Sequence, residues 1–182
     1  MPTVIINVDG INAGDSSGFG VASSDIVGIV SDGDTGTTIT NQSVDLTLEF
    51  SLQDISDVAV LSGATLNSIK CLGTAASSGK SAILFGLSIL NSDGDALVSD
   101  NEFSTSSASQ TDFEGTSLDI SSFSTDQFNG LQLKYRTLEE TQVVASRIRA
   151  QVDYTAAAVT STPYLKLGLG RYKISKGRLK VV

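Results

Sequence analysis

The segment Gly73–Leu84 reads GTAASSGKSAIL and comes close to a phosphate-binding loop. That chemistry requires a glycine, four residues and then Gly-Lys-Ser/Thr, so that backbone N–H groups curl around the phosphates at a helix N-terminus. Here five residues separate Gly73 from Gly79, and the apolar run that follows reads as a strand. Gly79-Lys80 is therefore expected to be a strand-connecting turn. The Asp-Gly-Asp groups at Asp32–Asp34 and Asp93–Asp95 offer oxygen ligands of the kind Ca²⁺ takes. Neither continues to the glutamate that closes an EF-hand loop, and turns use Asp and Gly for backbone reasons alone. Asp93 and Asp95 are kept as a candidate for weak calcium binding.

The chain contains no histidine, which excludes Ser-His-Asp and Cys-His catalysis and any His-ligated metal. Glu139-Glu140 falls in a loop between strands, where no cleft is implied for acid–base work. Asn41-Gln42-Ser43 matches a glycosylation sequon, which has meaning only in a secretory setting. There is no tryptophan, and Tyr135 and Tyr154 fall on core-facing positions, so a stacking platform for sugars is not evident. Cys71 stands alone between Ile69 and Leu72 and is expected to be buried as a small hydrophobe. No enzyme activity and no cofactor are expected.

The elements that must position these residues read as strands. In VDLTLEFSL, Val44, Leu46, Leu48 and Phe50 alternate with polar residues, the period-2 signature of a half-buried strand. SAILFGLSIL is apolar on both faces and is predicted to lie centrally. In SFSTDQFNG, Ser124 is expected to cap one helical turn that Gly130 ends. Leu131, Leu133 and Tyr135 share one strand face; Ile148, Ala150, Val152 and Tyr154 share another, opposite Arg147, Arg149, Gln151 and Asp153. Short alternating strands with turn signals, and no sustained helical period, predict an all-β fold: an antiparallel β-sandwich of jelly-roll type. Its expected bounds are residues 31–155. Residues 1–30, including Ile26–Val30, are read as an N-terminal arm or peripheral strands. Residues 156–182 are read as a linker and a basic C-terminal hairpin turning at Lys176-Gly177. The N-terminus has no secretory-signal pattern, and the longest apolar run, Ala82–Leu90, is too short to span a membrane.

Charge divides the chain sharply. Residues 1–133 hold 17 acidic and 2 basic side chains, whereas residues 134–182 hold 3 acidic and 10 basic, within an overall net charge of −8. Tyr164–Val182 alone has six Lys or Arg and no acid. Such a segment is expected to meet something negative. Nucleic acid fits poorly, because the acidic remainder would repel it and because apolar residues alternate with the charges.

Three segments, SLQDISDVAVLSGATLNSIKCLG, STDQFNGLQLKYRT and VASRIRAQVDYTA, carry a family resemblance. Ser62-Gly63-Ala64-Thr65-Leu66, Asn129-Gly130-Leu131 and Val152-Asp153-Tyr154-Thr155 resemble the turn and strand motifs of jelly-roll structural proteins in tailed-bacteriophage virions. The resemblance implies a capsid decoration or cement protein located in the virion. It further implies a homo-oligomer, trimeric by analogy, whose partner is the major capsid or another virion protein. Under that reading Lys166, Arg171, Lys173, Lys176, Arg178 and Lys180 meet an acidic shell, while Leu167, Leu169, Ile174 and Leu179 add apolar contact. The alternative is a tail or fibre component whose β-sandwich binds a host glycan.

Overall fold

The computed structural model describes residues 1–14, 16–19, 21–34, 36–40, 46–77, 83–138, 143–157, 164–167, 170–175 and 178–181, the last three segments by their backbone. Gly79-Lys80, Glu139-Glu140, Asn41-Gln42-Ser43 and Lys176-Gly177 lie outside the described residues. In chain order the elements are β1 (Thr3–Gly14), α1 (Ser23–Ser31), β2 (Ile39–Thr40), β3 (Thr47–Leu52), β4 (Thr65–Ser77), β5 (Ile83–Leu90), β6 (Ala96–Thr105), β7 (Thr111–Glu114), β8 (Leu118–Asp119), α2 (Thr125–Asn129), β9 (Gln132–Thr137) and β10 (Val143–Thr155). Beyond them come β11 (Tyr164–Leu167), β12 (Gly170–Ser175) and β13 (Arg178–Val181).

The fold is an antiparallel β-sandwich. Its strand path runs β6-β5-β9-β3-β1-β10-β4-β7, with β2 beside β10 and β8 beside β4. The path belongs to two layers because β1 serves both. Its first half, Thr3 to Asn7, pairs with β10, and its second half, Val8 to Gly14, pairs with β3. Register shifts after Val8 and after Ile11 let the strand turn that corner, as bulges do in sandwiches whose strands change sheet. Gly14 finishes the turn at φ 110°, where a side chain would also run into the Thr47 carbonyl.

Alternation fills the space between layers as the sequence predicts. Leu46, Leu48 and Phe50, Leu131, Leu133 and Tyr135, and Ile148, Ala150 and Val152 are all buried, and Cys71 is fully so. Phe85 on β5 meets Phe113 on β7 edge-on at 5.1 Å, which pins one layer to the other. β5 is buried along nearly its whole length, although it lies next to the edge strand β6 and not at the centre.

The reading of residues 1–30 as an arm or periphery is corrected. β1 is the strand common to both layers, and Ile6 and Val8 are core residues. Ile26–Val30 is not extended but forms most of α1, with Ile26 and Val30, four residues apart, fully buried on one face. The run is too uniformly apolar for its period to be visible: Val27 and Ile29 are half-buried on the flanks of the same helix. The expected helical turn at Ser124 is α2. The Ser124 hydroxyl accepts the Gln127 N–H at 3.2 Å, Gln127 Oε1 accepts the Ser124 N–H at 2.9 Å, and Gly130 is the C-cap.

Candidate functional site

Two connections meet at one end of the sandwich and enclose a cleft. The first joins β5 to β6. Asn91 Oδ1 accepts the backbone N–H groups of Asp93 and Asp95, both at 2.9 Å, and Gly94 supplies the positive φ of 86° that closes the turn. The second is α2 with the residues before it, anchored by the fully buried Phe128. The two meet where a Cβ on Gly130 would stand 3.1 Å from Ser92 Cβ, and Gln132 Nε2 donates to the Ser92 carbonyl at 3.4 Å. A 3₁₀ turn at Ile55–Asp57 closes the end from the β3 side, with the Ile55 N–H donating to Asn129 Oδ1 at 2.9 Å.

The cleft holds about 250 Å³ and is lined by Asn91, Ser92, Asp93, Leu97, Phe123, Gln127 and Leu131. Phe123 is half-buried and Leu97 is 37% exposed, so an apolar wall faces solvent. The rest of the lining supplies a carboxylate, a hydroxyl and two amides. Because Asn91 and Gln127 spend their oxygens on the turn and the capping box, their NH₂ groups are the ends left to act as donors. This arrangement can hold a small neutral molecule that has an apolar face and a hydroxylated rim. Sequence reasoning placed Asp93 and Gln127 in their elements but not in a shared cleft. The signal available to it was Phe123, an aromatic outside any strand.

Asp93 and Asp95, the candidate calcium ligands, sit exposed on the turn whose shape Asn91 and Gly94 already account for. Among the described residues, no three of His, Cys, Asp or Glu come together as a metal site. Burial pushes the Cys71 thiol up to about 11, which keeps it protonated and inert.

The basic tail forms a three-stranded antiparallel sheet, β11-β12-β13, in place of a two-stranded hairpin. In its backbone register Lys166 pairs with Arg171, Lys173 with Lys180 and Ser175 with Arg178, while Leu167 pairs with Gly170 and Ile174 with Leu179. Leu169 and Lys176 lie outside the described residues.

No protein-family model matches the chain, and no curated protein matches it. Solved structures of similar shape include the CBM36-1 domain of a multidomain xylanase from the hindgut metagenome of Trinervitermes trinervoides. It has 8% identity and a TM-score of 0.47, over 84% of this chain and 97% of that one. A second is the CBM32 domain of AlyQ in complex with 4,5-unsaturated mannuronic acid, with 11% identity and a TM-score of 0.46 over 81% and 97%. A third is the C-terminal CBM6 domain of the laminarinase LamC from Zobellia galactanivorans, with 8% identity and a TM-score of 0.42 over 84% and 100%. At these scores the likeness stops at sandwich architecture. It nevertheless corrects the capsid-decoration expectation: these neighbours are carbohydrate-binding modules and not phage structural proteins.

Proposed function

We propose that this protein is a non-catalytic carbohydrate-binding β-sandwich that takes one sugar ring in the cleft between the Asn91–Asp95 turn and α2. The observation that carries this reading is the pairing, in one cleft of about 250 Å³, of the half-buried Phe123 ring with a rim of amide, hydroxyl and carboxylate groups. A pyranose has the complementary anatomy. Its C–H face is apolar and packs on an aromatic ring, while its edge of hydroxyls needs both donors and acceptors. At roughly 30 Å³ per water, the cleft exchanges about eight waters for the sugar.

The test is a glycan array with the purified chain, followed by titration of any hit against Phe123→Ala and Asp93→Ala. Asp93→Ala keeps the turn, to which Asp93 contributes only its backbone N–H, and thermal unfolding checks that Phe123→Ala, which removes a half-buried ring packed against the core, is folded before it is titrated. Each is expected to weaken binding about tenfold, the loss of roughly 1.4 kcal/mol of contact. An array without a hit, or a hit indifferent to both substitutions, overturns the reading.

A further inference from the structure

The loop end of the sandwich carries charge of one sign. Residues 53–57, 91–97 and 123–131, which build it, contain Asp54, Asp57, Asp93, Asp95 and Asp126 and no Lys or Arg. All five carboxylates are exposed, and none makes an ion pair among the described residues. On the sheet faces, by contrast, Asp100, Asp112 and Glu114 each hold a cation.

Asp93 is the member of this group that lines the cleft, and it is the only charged side chain among the described lining residues. Its backbone N–H donates to Asn91 Oδ1 at 2.9 Å, whereas its carboxylate has no hydrogen-bond partner among the described residues. The amide oxygens of Asn91 and Gln127 already accept from the turn and the capping box, and the Ser92 carbonyl accepts from Gln132. Among the lining side chains, the Asp93 carboxylate and the Ser92 hydroxyl are therefore the acceptors free of a described partner.

Such a cleft discriminates by charge. An anionic ring meets Asp93 with no cation in the lining to offset it, and like charges brought together cost affinity. A neutral ring offers Asp93 a hydroxyl donor. A ring with an ammonium offers a donor of opposite charge, and hydrogen bonds between ionised groups are the stronger kind. The other four carboxylates, and the acidic excess of residues 1–133, add potential of the same sign at the cleft mouth.

We propose that the cleft selects an amino sugar. The apolar face of the ring packs on Phe123 and its protonated amine donates to the Asp93 carboxylate; the neutral sugar binds less tightly and the uronic acid least. The inference rests on the carbohydrate-binding reading of this cleft and adds the charge of its sugar. Because Asp93 is exposed, water offsets much of the attraction, and the preference has the size of an exposed ion pair.

The experiment is an NMR amide-shift titration of the full chain with methyl glucosaminide, methyl glucoside, methyl glucuronide and ethylammonium. It is run at low salt and about pH 6, where the amines and the carboxylates are ionised. The glucosaminide should move the amides around Asn91–Asp95 and Phe123–Gln127 and bind about two- to fivefold tighter than the glucoside, with the glucuronide weakest. Asp93→Asn keeps the backbone N–H that closes the turn and should bring the glucosaminide to the affinity of the glucoside. A glucoside or glucuronide that binds as tightly as the glucosaminide, or a preference that survives in Asp93→Asn, overturns the proposal and leaves the carbohydrate-binding reading standing. Ethylammonium binding as tightly as the glucosaminide overturns the assignment to a sugar ring. The absence of a shift with any of the three sugars overturns both the proposal and the reading it rests on.

Discussion

The outer faces of the sandwich and the face of the tail sheet solve the same electrostatic problem in opposite ways. On the sandwich, Lys70 reaches a carboxylate on the adjacent strand, and Lys134, Arg136 and Arg147 each reach one across an intervening strand. In the tail, Lys173 stands directly opposite Lys180 and Lys166 directly opposite Arg171. Like charges facing one another across strands destabilise a sheet, and opposite charges support it. The described cations of the acidic sandwich are therefore paired with carboxylates apart from Arg149, whereas the tail strands set cation opposite cation. The difference separates cations held among an excess of carboxylates from cations whose cross-strand neighbours are of their own sign.

The largest effect expected from disturbing this contrast lies at Asp100, which serves two cations at 3.3 Å and 3.1 Å with only 19% of its side chain exposed. Burial opposes its ionisation. The Ser88 hydroxyl, facing it without a hydrogen bond of good geometry, and the charges of Lys134 and Arg136 outweigh that and hold the carboxyl below the usual range. Asp100→Asn leaves two half-buried cations unpaired and should cost about 2 kcal/mol, between the values for exposed and fully buried pairs. The pH dependence has a definite sign. A carboxyl with a lowered folded-state value contributes stability above the unfolded-chain value of about 3.9 and loses it as pH falls through the folded one. Denaturant unfolding should show the two proteins apart at neutral pH and converging below about pH 4. A gap of constant size would mean that the loss is one of packing and not of charge.

What was legible in the sequence follows the same division. Strand faces were readable wherever one side meets the core and the other meets water, as in Leu131–Tyr135 and Ile148–Tyr154, because burial imposes the alternation directly. The Ser124 capping box was readable because its chemistry is local. β1 and α1 were not, for one physical reason: both have partners on more than one side. β1 bonds to β10 and to β3, distant partners that its own short run does not name, and α1 buries Ile26 and Val30 while half-burying Val27 and Ile29. The cleft was beyond reach because Asp93, Phe123 and Gln127 are brought together by packing between distant turns. The tail's charge was plain in the sequence; that Lys173 pairs with Lys180 and Lys166 with Arg171 required the register.

A smaller change should sharpen the comparison from the tail side. Lys173→Glu places an acid opposite Lys180 and gives the tail the kind of cross-strand pair the sandwich already has. An opposite-charge pair in place of a like-charge one is worth about 0.2–1 kcal/mol. Amide hydrogen exchange over β12 and β13 should therefore slow by up to about fivefold at low salt, with the gain shrinking as salt screens both situations. Faster exchange in the variant would show that the five cations are already neutralised by a partner whose contacts the glutamate disrupts.

The smallest effect belongs to the most exposed pair of the sandwich. Glu114 is 63% exposed although its contact with Lys70 is only 2.6 Å long. Short distance is a poor guide to worth at such a site, because water solvates both ions well and ordering two flexible side chains offsets the attraction. Glu114→Gln should cost less than about 0.5 kcal/mol in thermal unfolding. A stability loss of about 2 kcal/mol would instead show that this rim pair is held as firmly as the half-buried Asp100 cluster, and exposure would then not be what separates the two.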